Sequence, residues 1–500
     1  MTQKRRRKGP LRVCLVASEA APYAVTNGVG DFVCAMAREL EAAGHDVRVV
    51  LPLYSTARRL GAASDMGLPL QVPLGSRTEE AGVWQGRLGR DVPVYLIAQD
   101  KYFDREGLYR TANRDYVDNA ERFSFLSRAA LVLCRTLDWR PSVVHANDWQ
   151  TGLVPAYMRT TLADDGFWAG VPSVFTIHHL AEQGIFPQWD LRATGLPGET
   201  FAPAGLEFFG RISFAKAGIV YSDSVTVTSR RWAREIQHPE AGCGFDAILR
   251  QHADKLEGVL SGVTYNSWDP ATDSHIAANY DLHSLPNKEM CKADLVETMG
   301  LESAHRVPLV GMISPLRADR GFDLLFEAFN RLMRRKVAMV VMGRGEPQYR
   351  DYLNELAASH AGSFAFIADH DPILAHKIIA GSDLFLIPSR TEPSAANHAY
   401  AMRYGTVPVV HATGVLDDGV RTFDGKRGTG NGFKFREYSA SHLLSAMRKA
   451  LDTYSKRRRW RKLVINAMNT EFAWKQAAQA YVKLYETAAG QRRVANGNEE

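Results

Sequence analysis

With 500 residues, 45% of them hydrophobic and 23% charged, the chain is too long for one ordinary core and has the balance of a soluble globular protein. Two or three domains are therefore expected. The apolar runs are too short for a membrane span, and no signal-peptide hydrophobic region follows the basic residues 4–8, which predicts a cytoplasmic protein that does not bind a membrane. The formal net charge of +6 suits an anionic small-molecule ligand, and it would also suit nucleic acid.

The five cysteines are scattered and never form a CxxC pair, which indicates reduced thiols in a cytosolic protein. No group of His, Cys and Asp has metal-ligand spacing, so we expect no metal. The basic run 456–462 lies in a helical stretch, where a solvated helix face is favoured over a polyanion site. Nucleic-acid binding is disfavoured because no recognition motif accompanies this charge.

The first half alternates short apolar runs with helical patterns. Leu11–Ala17 predicts a buried strand, and after a turn a helix is predicted from about Gly28 to Gly44, because apolar residues recur there at helical spacing. Further short, β-branched strand candidates follow: Val47–Leu51, Val143–His145, Ser173–Ile177 and Ser224–Val227. Strand-helix-strand repetition predicts a parallel sheet with right-handed crossovers.

The same pattern restarts after a polar stretch, 269–287. Helices are predicted at Phe322–Arg335 and Asn397–Tyr404, between five strands: Leu309–Ile313, Ala338–Met342, Phe364–Ile367, Leu384–Ile387 and Val407–Val410. We therefore predict two Rossmann-like, doubly wound α/β domains. Open parallel sheets bind ligands at the carboxyl ends of their strands, so motifs at those ends in both halves are expected to converge on one cleft between the domains.

The first such motif, Thr26–Asp31, follows the first strand and opens the first helix. Gly28 and Gly30 allow the backbone to approach an anion, and the helix N-terminus offers free N–H groups. Tight turns also use glycine for steric reasons alone, and this motif does not distinguish the two explanations.

Histidines mark the ends of two further strands. His145 and Asp148 belong to one strand end, and His178 and His179 follow the next. A histidine at such a position can donate to a sugar hydroxyl or orient a neighbouring group. A single one would be structural, but three at successive strand ends favour a functional site.

Glu392 follows the strand Leu384–Ile387 and precedes a helix. Such a carboxylate can simply interact with the helix N-terminus. It can also bind sugar hydroxyls while backbone amides behind it hold a phosphate.

Taken together, the motifs resemble the bacterial glycogen synthases and plant starch synthases, retaining glycosyltransferases of family 5 with the GT-B fold. The resemblance runs from Val13 to about Tyr485. The segments that carry it are Val16–Pro22, Tyr102–Arg105, Leu206–Phe208, Arg234–Gln237, Trp268–Asp273 and Arg403–Thr406.

This resemblance implies transfer of glucose from ADP-glucose to the 4-hydroxyl of an α-1,4-glucan end, with retention of configuration and without a metal. It implies that Asp31 and Asp148 lie near the acceptor and the sugar, that His178 lies close to the transferred glucose, and that Glu392 holds the glucose hydroxyls. Arg320 is the aligned cation for the departing diphosphate. The remaining donor-binding positions it implies are Thr26, Gly28, Gly30, His370, Ser394, Ala395, Ala396, Thr413 and Gly414.

The sequence departs from the family pattern at strand ends that are expected to bind the donor. Val25 stands where the family has lysine, and Pro315 stands where it has arginine, while Arg320 replaces a lysine before glycine. His370 takes the place of an adenine-stacking tyrosine. Losing one preorganised stabilising group costs roughly 3–4 kcal/mol of transition-state stabilisation, although Arg317 or Arg344 can in principle compensate.

Two hypotheses follow from these residues. Retention of Glu392, His178 and Asp148 favours an active glycosyltransferase, using ADP-glucose or another nucleotide sugar. Loss of the cations at 25 and 315 favours a catalytically impaired relative that binds glucan or a partner and acts in regulation or assembly.

The predicted domain bounds are 1–275 for the acceptor-side domain and 276–470 for the nucleotide-sugar domain. The resemblance implies that a helix within 471–488 returns to the first domain. A polar tail, 489–500, is expected to be disordered. The sequence does not indicate an oligomeric state.

Overall fold

The computed structural model describes residues 9–26, 28–393 and 396–495, with side chains to Arg492. The described chain divides into two compact units. The first comprises 9–228, 233–262 and 474–495, and the second comprises 229–232 and 263–473. The division therefore falls after Gly262, earlier than the boundary at 275 expected from the sequence. Within the described ranges, no helix combines the length and apolarity that a bilayer crossing requires.

The strands of the first unit form one large and one small sheet. In chain order they are β1 (Arg12–Val16), β2 (Asp46–Pro52), β3 (Ala63–Leu74), β4 (Arg77–Leu88), β5 (Val92–Ala98), β6 (Val143–Asn147), β7 (Ser173–Ile177), β8 (Ile185–Pro187), β9 (Glu207–Phe208), β10 (Arg211–Ser213), β11 (Ser224–Val227) and β12 (Leu256–Gly258). The large sheet has the order β12-β11-β7-β6-β1-β2-β5-β4-β3, and the small one has the order β8-β10-β9.

Most of the large sheet is parallel. From β12 to β5 each strand runs parallel to its neighbour, whereas β4 and β3 add an antiparallel hairpin at one edge. The sequence patterns did not predict this hairpin, because its long strands are mostly exposed and polar along their first halves. The chain order of the parallel strands reverses direction between β1 and β6, which makes the gap between these two strands the topological switch point.

Helices cover the faces of this sheet. They are α1 (Gly28–Ala42), α2 (Ser55–Leu60), α3 (Asp100–Phe103), α4 (Asn119–Thr136), α5 (Leu153–Arg159), α6 (Leu191–Thr194), α7 (Phe214–Tyr221), α8 (Arg230–Glu235), which spans the unit division, and α9 (Asp246–Gln251). In α1 the residues Val29, Phe32, Val33, Met36 and Leu40 are all buried, as their helical spacing predicted.

The second unit contains one six-stranded parallel sheet with the order β15-β14-β13-β16-β17-β18. Its strands are β13 (Leu309–Ile313), β14 (Ala338–Met342), β15 (Phe364–Ile367), β16 (Leu384–Ile387), β17 (Val407–His411) and β18 (Phe433–Phe435). Its helices are α10 (Lys288–Thr298), α11 (Phe322–Met333), α12 (Pro347–Ser359), α13 (Pro372–Gly381), α14 (Asn397–Arg403), α15 (Gly414–Gly419), α16 (Ala440–Tyr454) and α17 (Arg457–Met468).

Both sheets confirm the predicted fold class of two doubly wound, Rossmann-like α/β domains. In chain order the second sheet reads 3-2-1-4-5-6, the arrangement of dinucleotide-binding folds, and its switch point lies between β13 and β16. The five strands predicted for this half are observed, four of them with the predicted bounds. Ligand-binding groups are therefore expected in the loops after β1 and β6 in one unit and after β13 and β16 in the other.

The last helix, α18 (Trp474–Ala495), packs on the first unit. Its Trp474 ring contacts Phe32 at 5.6 Å, and its Tyr481 ring stacks on His145 at 5.3 Å. The sequence predicted a disordered tail from 489, but the helix continues through Ala495. A helix already fixed by tertiary packing extends at little cost per residue, which explains the difference. Residues 496–500 lie outside the described part.

His145 lies at the centre of this packing. One ring nitrogen, Nδ1, is 2.7 Å from the Tyr485 hydroxyl, and Nε2 is 2.6 Å from the Thr176 hydroxyl. Burial, with a smaller effect from neighbouring His178, lowers the pKa of His145 to about 3. The ring therefore stays neutral in the folded protein, whereas in the unfolded chain it takes up a proton below about pH 6.5.

We expect His145→Gln to weaken the dependence of the melting temperature on pH between about pH 6.5 and 5. Each buried neutral histidine lowers the stability by up to about 1.4 kcal/mol per unit fall in pH over this window, because only the unfolded state gains the proton. Some dependence remains, since burial also lowers the pKa of His178. Calorimetric melting at several pH values measures the slope. His283→Gln, at an exposed position, is the control, and equal slopes for the two variants would contradict the assignment.

Candidate functional site

In the first unit, the loop after β1 is organised by a buried carboxylate. Glu19 accepts hydrogen bonds from the Thr26 backbone N–H at 2.5 Å, the Thr26 hydroxyl at 2.7 Å and the Tyr109 hydroxyl at 2.5 Å. Glu19 lies within Val16–Pro22, one of the segments that carry the family resemblance, and its role in this loop was not predicted. The signal was present as an acidic residue in the loop directly after the first strand.

The predicted donor-binding glycines differ in their surroundings. A Cβ on Gly30 would lie 3.0 Å from the Ala24 carbonyl oxygen, so glycine is favoured there by close packing. Gly28 begins α1 in open space, with nothing within 4 Å of an added Cβ. Asp31 is exposed in the first turn of the same helix. The N-terminal turn of α1 is therefore accessible from solvent beside the switch point.

Asp148 and His178, both predicted site residues, are brought together at the ends of β6 and β7. One Asp148 carboxylate oxygen accepts the backbone N–H of His178 at 2.7 Å and that of His179 at 3.3 Å. The other oxygen lies 3.3 Å from His179 Nδ1. Burial would raise the pKa of Asp148, but the hydrogen bond from His179 and the charges that His178 and His179 acquire in acid lower it on balance. Asp148 is therefore an ionised group that joins two strand ends.

The His178 ring is held on two sides. Its Nε2 is 3.0 Å from the Asn147 side-chain oxygen, and its ring contacts Phe32 of α1 at 4.5 Å. Burial lowers the pKa of His178 to about 4, so the imidazole is neutral near pH 7. A neutral imidazole can exchange hydrogen bonds with a sugar hydroxyl, but it cannot supply positive charge to a phosphate.

In the second unit, Arg320 and Glu392 come from the loops after the two switch-point strands. Arg320 Nη1 donates to the Glu392 carboxylate at 2.6 Å, and both side chains are largely buried. Arg320 Nε lies 3.4 Å from the Asp319 carboxylate. Burial raises the pKa of Glu392, and the Arg320 charge opposes that rise. The sequence predicted both residues but not their ion pair.

Two close contacts between backbone segments fix the position of this ion pair. A Cβ on Gly321, next to Arg320, would lie 2.3 Å from the Pro388 carbonyl oxygen. A Cβ on Gly414 would lie 2.0 Å from the Glu392 carbonyl oxygen, which also accepts the Val415 N–H at 3.1 Å. Both glycines have positive φ, 81° and 46°. Thr413 is buried beside Gly414, so the loop before α15 fixes the backbone of Glu392.

The structure also shows the surroundings of Pro315 and Val25, where the sequence departs from the family pattern, and of Arg317. Pro315 is exposed. The backbone N–H groups of its neighbours Ser314 and Leu316 each donate at 3.0 Å to a backbone carbonyl at or just after the end of β14. Because only every second residue donates in this direction, the missing N–H of Pro315 leaves no hydrogen bond unformed. Val25 is 50% exposed. The guanidinium of Arg317, a possible substitute cation, is bonded to Asp319 at 2.8 and 3.1 Å.

Of four further predicted residues, two lie apart from these contacts and two lie outside the described part of the chain. His370 is exposed in the loop after β15, where its backbone N–H donates to the Asp369 side chain at 2.7 Å. Ala396 immediately precedes α14. Ser394 and Ala395 lie outside the described residues.

The chain forms two doubly wound domains. At its switch point the first carries groups that can hydrogen-bond to sugar hydroxyls, and the second carries a buried arginine–glutamate pair. This arrangement is that of a GT-B glycosyltransferase. Comparison with known families agrees. Residues 12–251 match the starch synthase catalytic domain, and residues 300–466 match the glycosyl transferases group 1.

Curated relatives match along nearly the whole chain. Glycogen synthase of Syntrophotalea carbinolica is 41% identical over 479 residues, covering 96% of this chain and 99% of the relative. Glycogen synthase of Anaeromyxobacter sp. strain Fw109-5 is 43% identical over 486 residues, covering 96% and 100%. The solved catalytic domain of starch synthase IV from Arabidopsis thaliana, bound to ADP and acarbose, superposes with a TM-score of 0.81 at 29% identity, covering 96% of this chain and all of that one.

The chain belongs to the glycogen synthase and starch synthase family. Its activity class is accordingly that of a glycogen synthase-like glycosyltransferase, and the alternative of a binding-only relative is not favoured.

We expect Gly414→Ala to lose most transferase activity, because the new methyl group overlaps the Glu392 carbonyl and displaces the loop that carries the carboxylate. Gly300→Ala is the matched control, since Gly300 also has a positive φ, 63°, but has nothing within 4 Å of an added Cβ. Both variants carry a backbone penalty of about 1 kcal/mol for the positive φ, and Gly414→Ala adds the cost of the overlap with the Glu392 carbonyl, so its melting temperature is expected to fall further than that of Gly300→Ala. Equal activities for the two variants would show that the approach at 414 does not matter.

Proposed function

We propose that this protein transfers glucose from ADP-glucose to the 4-hydroxyl at the non-reducing end of an α-1,4-glucan, with retention of the anomeric configuration. The observation that carries the proposal is the Arg320–Glu392 pair at the switch point of the second sheet, where such folds bind nucleotides. The ADP and acarbose bound to the starch synthase IV relative support ADP as the donor nucleotide and a glucose-like chain as the acceptor.

In this proposal the two partners of the pair have different tasks. Glu392 accepts hydrogen bonds from hydroxyls of the transferred glucose, and its contact with Arg320 keeps one carboxylate oxygen oriented. Arg320 faces the departing diphosphate and stabilises its developing negative charge. Because the guanidinium also lies beside Asp319, part of its charge is already balanced before the donor binds.

The first unit provides hydrogen-bonding groups in the proposal. Neutral His178 contacts a hydroxyl of the transferred glucose, and ionised Asp148 holds the strand ends that position it. Asp31 at the start of α1 faces the acceptor side, and Thr26, Gly28 and Gly30 shape the loop beside it. His370 takes the place of an adenine-stacking ring, and Ala396, Thr413 and Gly414 line the donor side.

We propose that the reaction needs no metal or other cofactor. Stabilisation of the leaving group falls to Arg320 and to backbone N–H groups, which act through preorganised dipoles. We also propose a cytoplasmic location, supported by Cys14 and Cys134, whose thiols are joined by a hydrogen bond of 3.7 Å and not by a disulfide.

The transfer assay that tests the reaction uses radiolabelled ADP-, UDP- and GDP-glucose with glycogen as primer and EDTA present. We expect incorporation from ADP-glucose that exceeds that from the other donors and persists with EDTA. Glu392→Gln, which keeps the shape but removes the charge facing Arg320, is expected to lower kcat by about a hundredfold or more. Glu302→Gln, at an exposed position, is the control. Transfer from none of the donors would contradict the proposal and favour the impaired, glucan- or partner-binding alternative.

Restoring the missing cations is expected to increase the rate. Val25→Lys combined with Pro315→Arg adds positive charge at two exposed positions beside the switch points, and each gain is worth up to about 3 kcal/mol of transition-state stabilisation if the geometry is recovered. We expect kcat to rise at least about tenfold with ADP-glucose. Val117→Lys, at an 86% exposed hydrophobic position of the first unit, controls for net charge. An unchanged or lower kcat in the double variant would show that these positions do not limit the reaction.

A further inference from the structure

The small sheet of the first unit ends in two exposed aromatic side chains. Trp189 follows β8 and is 73% exposed, and Phe209 follows β9 and is 85% exposed. Burial of such rings is strongly favourable, so exposing two of them on one small sheet is costly without a ligand. Neither residue belongs to the site described above.

The register places the ends of β8 and β9, which lead into Trp189 and Phe209, at the same end of this sheet. Arg211 of β10 pairs with Pro187 on one side and with Phe208 on the other. Strands β8 and β9 therefore run in the same direction on either side of β10 and end at the same level. Two strand spacings, about 10 Å, separate them. The chain leaves β8 toward Trp189 and leaves β9 directly into Phe209.

Phe209 occupies a backbone position that disfavours it. The turn between β9 and β10 contains only Phe209 and Gly210, with φ values of 48° and 73°. Positive φ at both central residues marks the hairpin turn that strongly prefers Asn-Gly or Asp-Gly. A bulky residue with positive φ is a genuine outlier. The turn is kept closed by the Gly210 N–H, which donates to the Glu207 carboxylate at 2.7 Å.

The neighbouring Phe208 shows that packing does not explain Phe209. Phe208 contacts the buried Phe245 at 4.8 Å and anchors the hairpin. Phe209 points to solvent and contacts the edge of Phe208 at 4.6 Å. Phe209 therefore carries both a conformational cost and a solvation cost, a combination that is typical of a residue with a role in binding.

The small sheet is attached directly to the strand end that carries Asp148. Trp149 contacts Phe186 of β8 at 5.7 Å, and Phe186 in turn contacts Phe214 at 4.9 Å. The exposed rings therefore belong to the same unit as the proposed sugar-binding groups.

We propose that Trp189 and Phe209 form a second contact surface for the α-glucan, which stacks the apolar faces of glucosyl units remote from the reacting end. This inference rests on the proposed acceptor. Two separate rings flanked by polar groups such as Arg211 and Glu207 suit a neutral sugar chain, whose units present an apolar face and a hydroxyl rim. They do not form the broad continuous apolar area that a protein partner needs. A polymer held at two places gains effective concentration at its end.

Affinity electrophoresis in native gels that contain glycogen tests binding without turnover. The variants are Trp189→Ala and Phe209→Asn, and the second replaces phenylalanine with a residue that the turn prefers, so its folding is expected to be at least as stable. We expect each variant to weaken glycogen retention about three- to tenfold, the change of a lost ring contact. Val117→Ala, at an equally exposed apolar position, is expected to behave as wild type.

Kinetics separates this surface from the reacting site. We expect the variants to raise KM for glycogen while kcat and KM for ADP-glucose stay unchanged, and a short maltooligosaccharide primer to show no difference. Wild-type retention in both variants, or no retention of the wild type itself, would overturn the inference. A change of sedimentation instead of glycogen binding would assign the rings to self-association and would also overturn it. Loss of retention in a chain that shows no transfer would support the surface while rejecting the proposed reaction.

Discussion

The buried ion pair between Arg320 and Glu392 is the interaction on which the proposed chemistry of the second unit depends. Removing two charges from water is costly, and a pair of this kind is kept only when geometry and further hydrogen bonds compensate. Here the compensation comes from the backbone, because Gly321 and Gly414 allow main-chain approaches that no residue with a Cβ would permit. Breaking such a pair by removing one partner costs about 3–5 kcal/mol. The arginine is therefore constrained both by its partner and by the ligand that we propose for it.

The two units have the same order of parallel strands around their switch points, but they present different chemical groups there. In the second unit the switch point presents a cation beside a carboxylate, which suits a phosphate attached to a sugar. In the first unit the corresponding edge presents ionised Asp148 and neutral His178, which suit hydroxyl groups. Val25, where the family resemblance implies a lysine, supplies no cation there. The distribution of charge thus matches the division of labour that we propose, with the diphosphate bound by the second unit and the sugar by the first.

Much of the fold was predictable, because short β-branched runs separated by helical patterns have few alternatives in a chain of this length. The strands Ser173–Ile177 and Leu309–Ile313 match the sequence predictions at both ends. The β3–β4 hairpin was missed because its strands lie at an edge and carry mixed polarity. The end of α18 was not predicted because residues 489–495 are polar, and their polarity does not reveal that the helix is already fixed by the buried Tyr481 and Tyr485 before them.

The site was only partly predictable. The positions of Glu392, Asp148 and His178 followed from strand ends, since those lie at one edge of a parallel sheet. The contact of Arg320 with Glu392 did not, because it depends on how two loops 72 residues apart approach each other. Glu19 and Phe209 were not recognised for a similar reason. Their significance lies in hydrogen-bond partners and in backbone conformation, which a single sequence does not display.

Calorimetric titration of ADP against the wild type and Arg320→Gln tests the central claim most directly, because ADP contains the diphosphate without the sugar. The account predicts that the variant binds ADP at least about tenfold more weakly, since a charge-assisted hydrogen bond contributes roughly 1.5–3 kcal/mol. Equal affinity of the two proteins for ADP would contradict the assignment of Arg320 to the diphosphate.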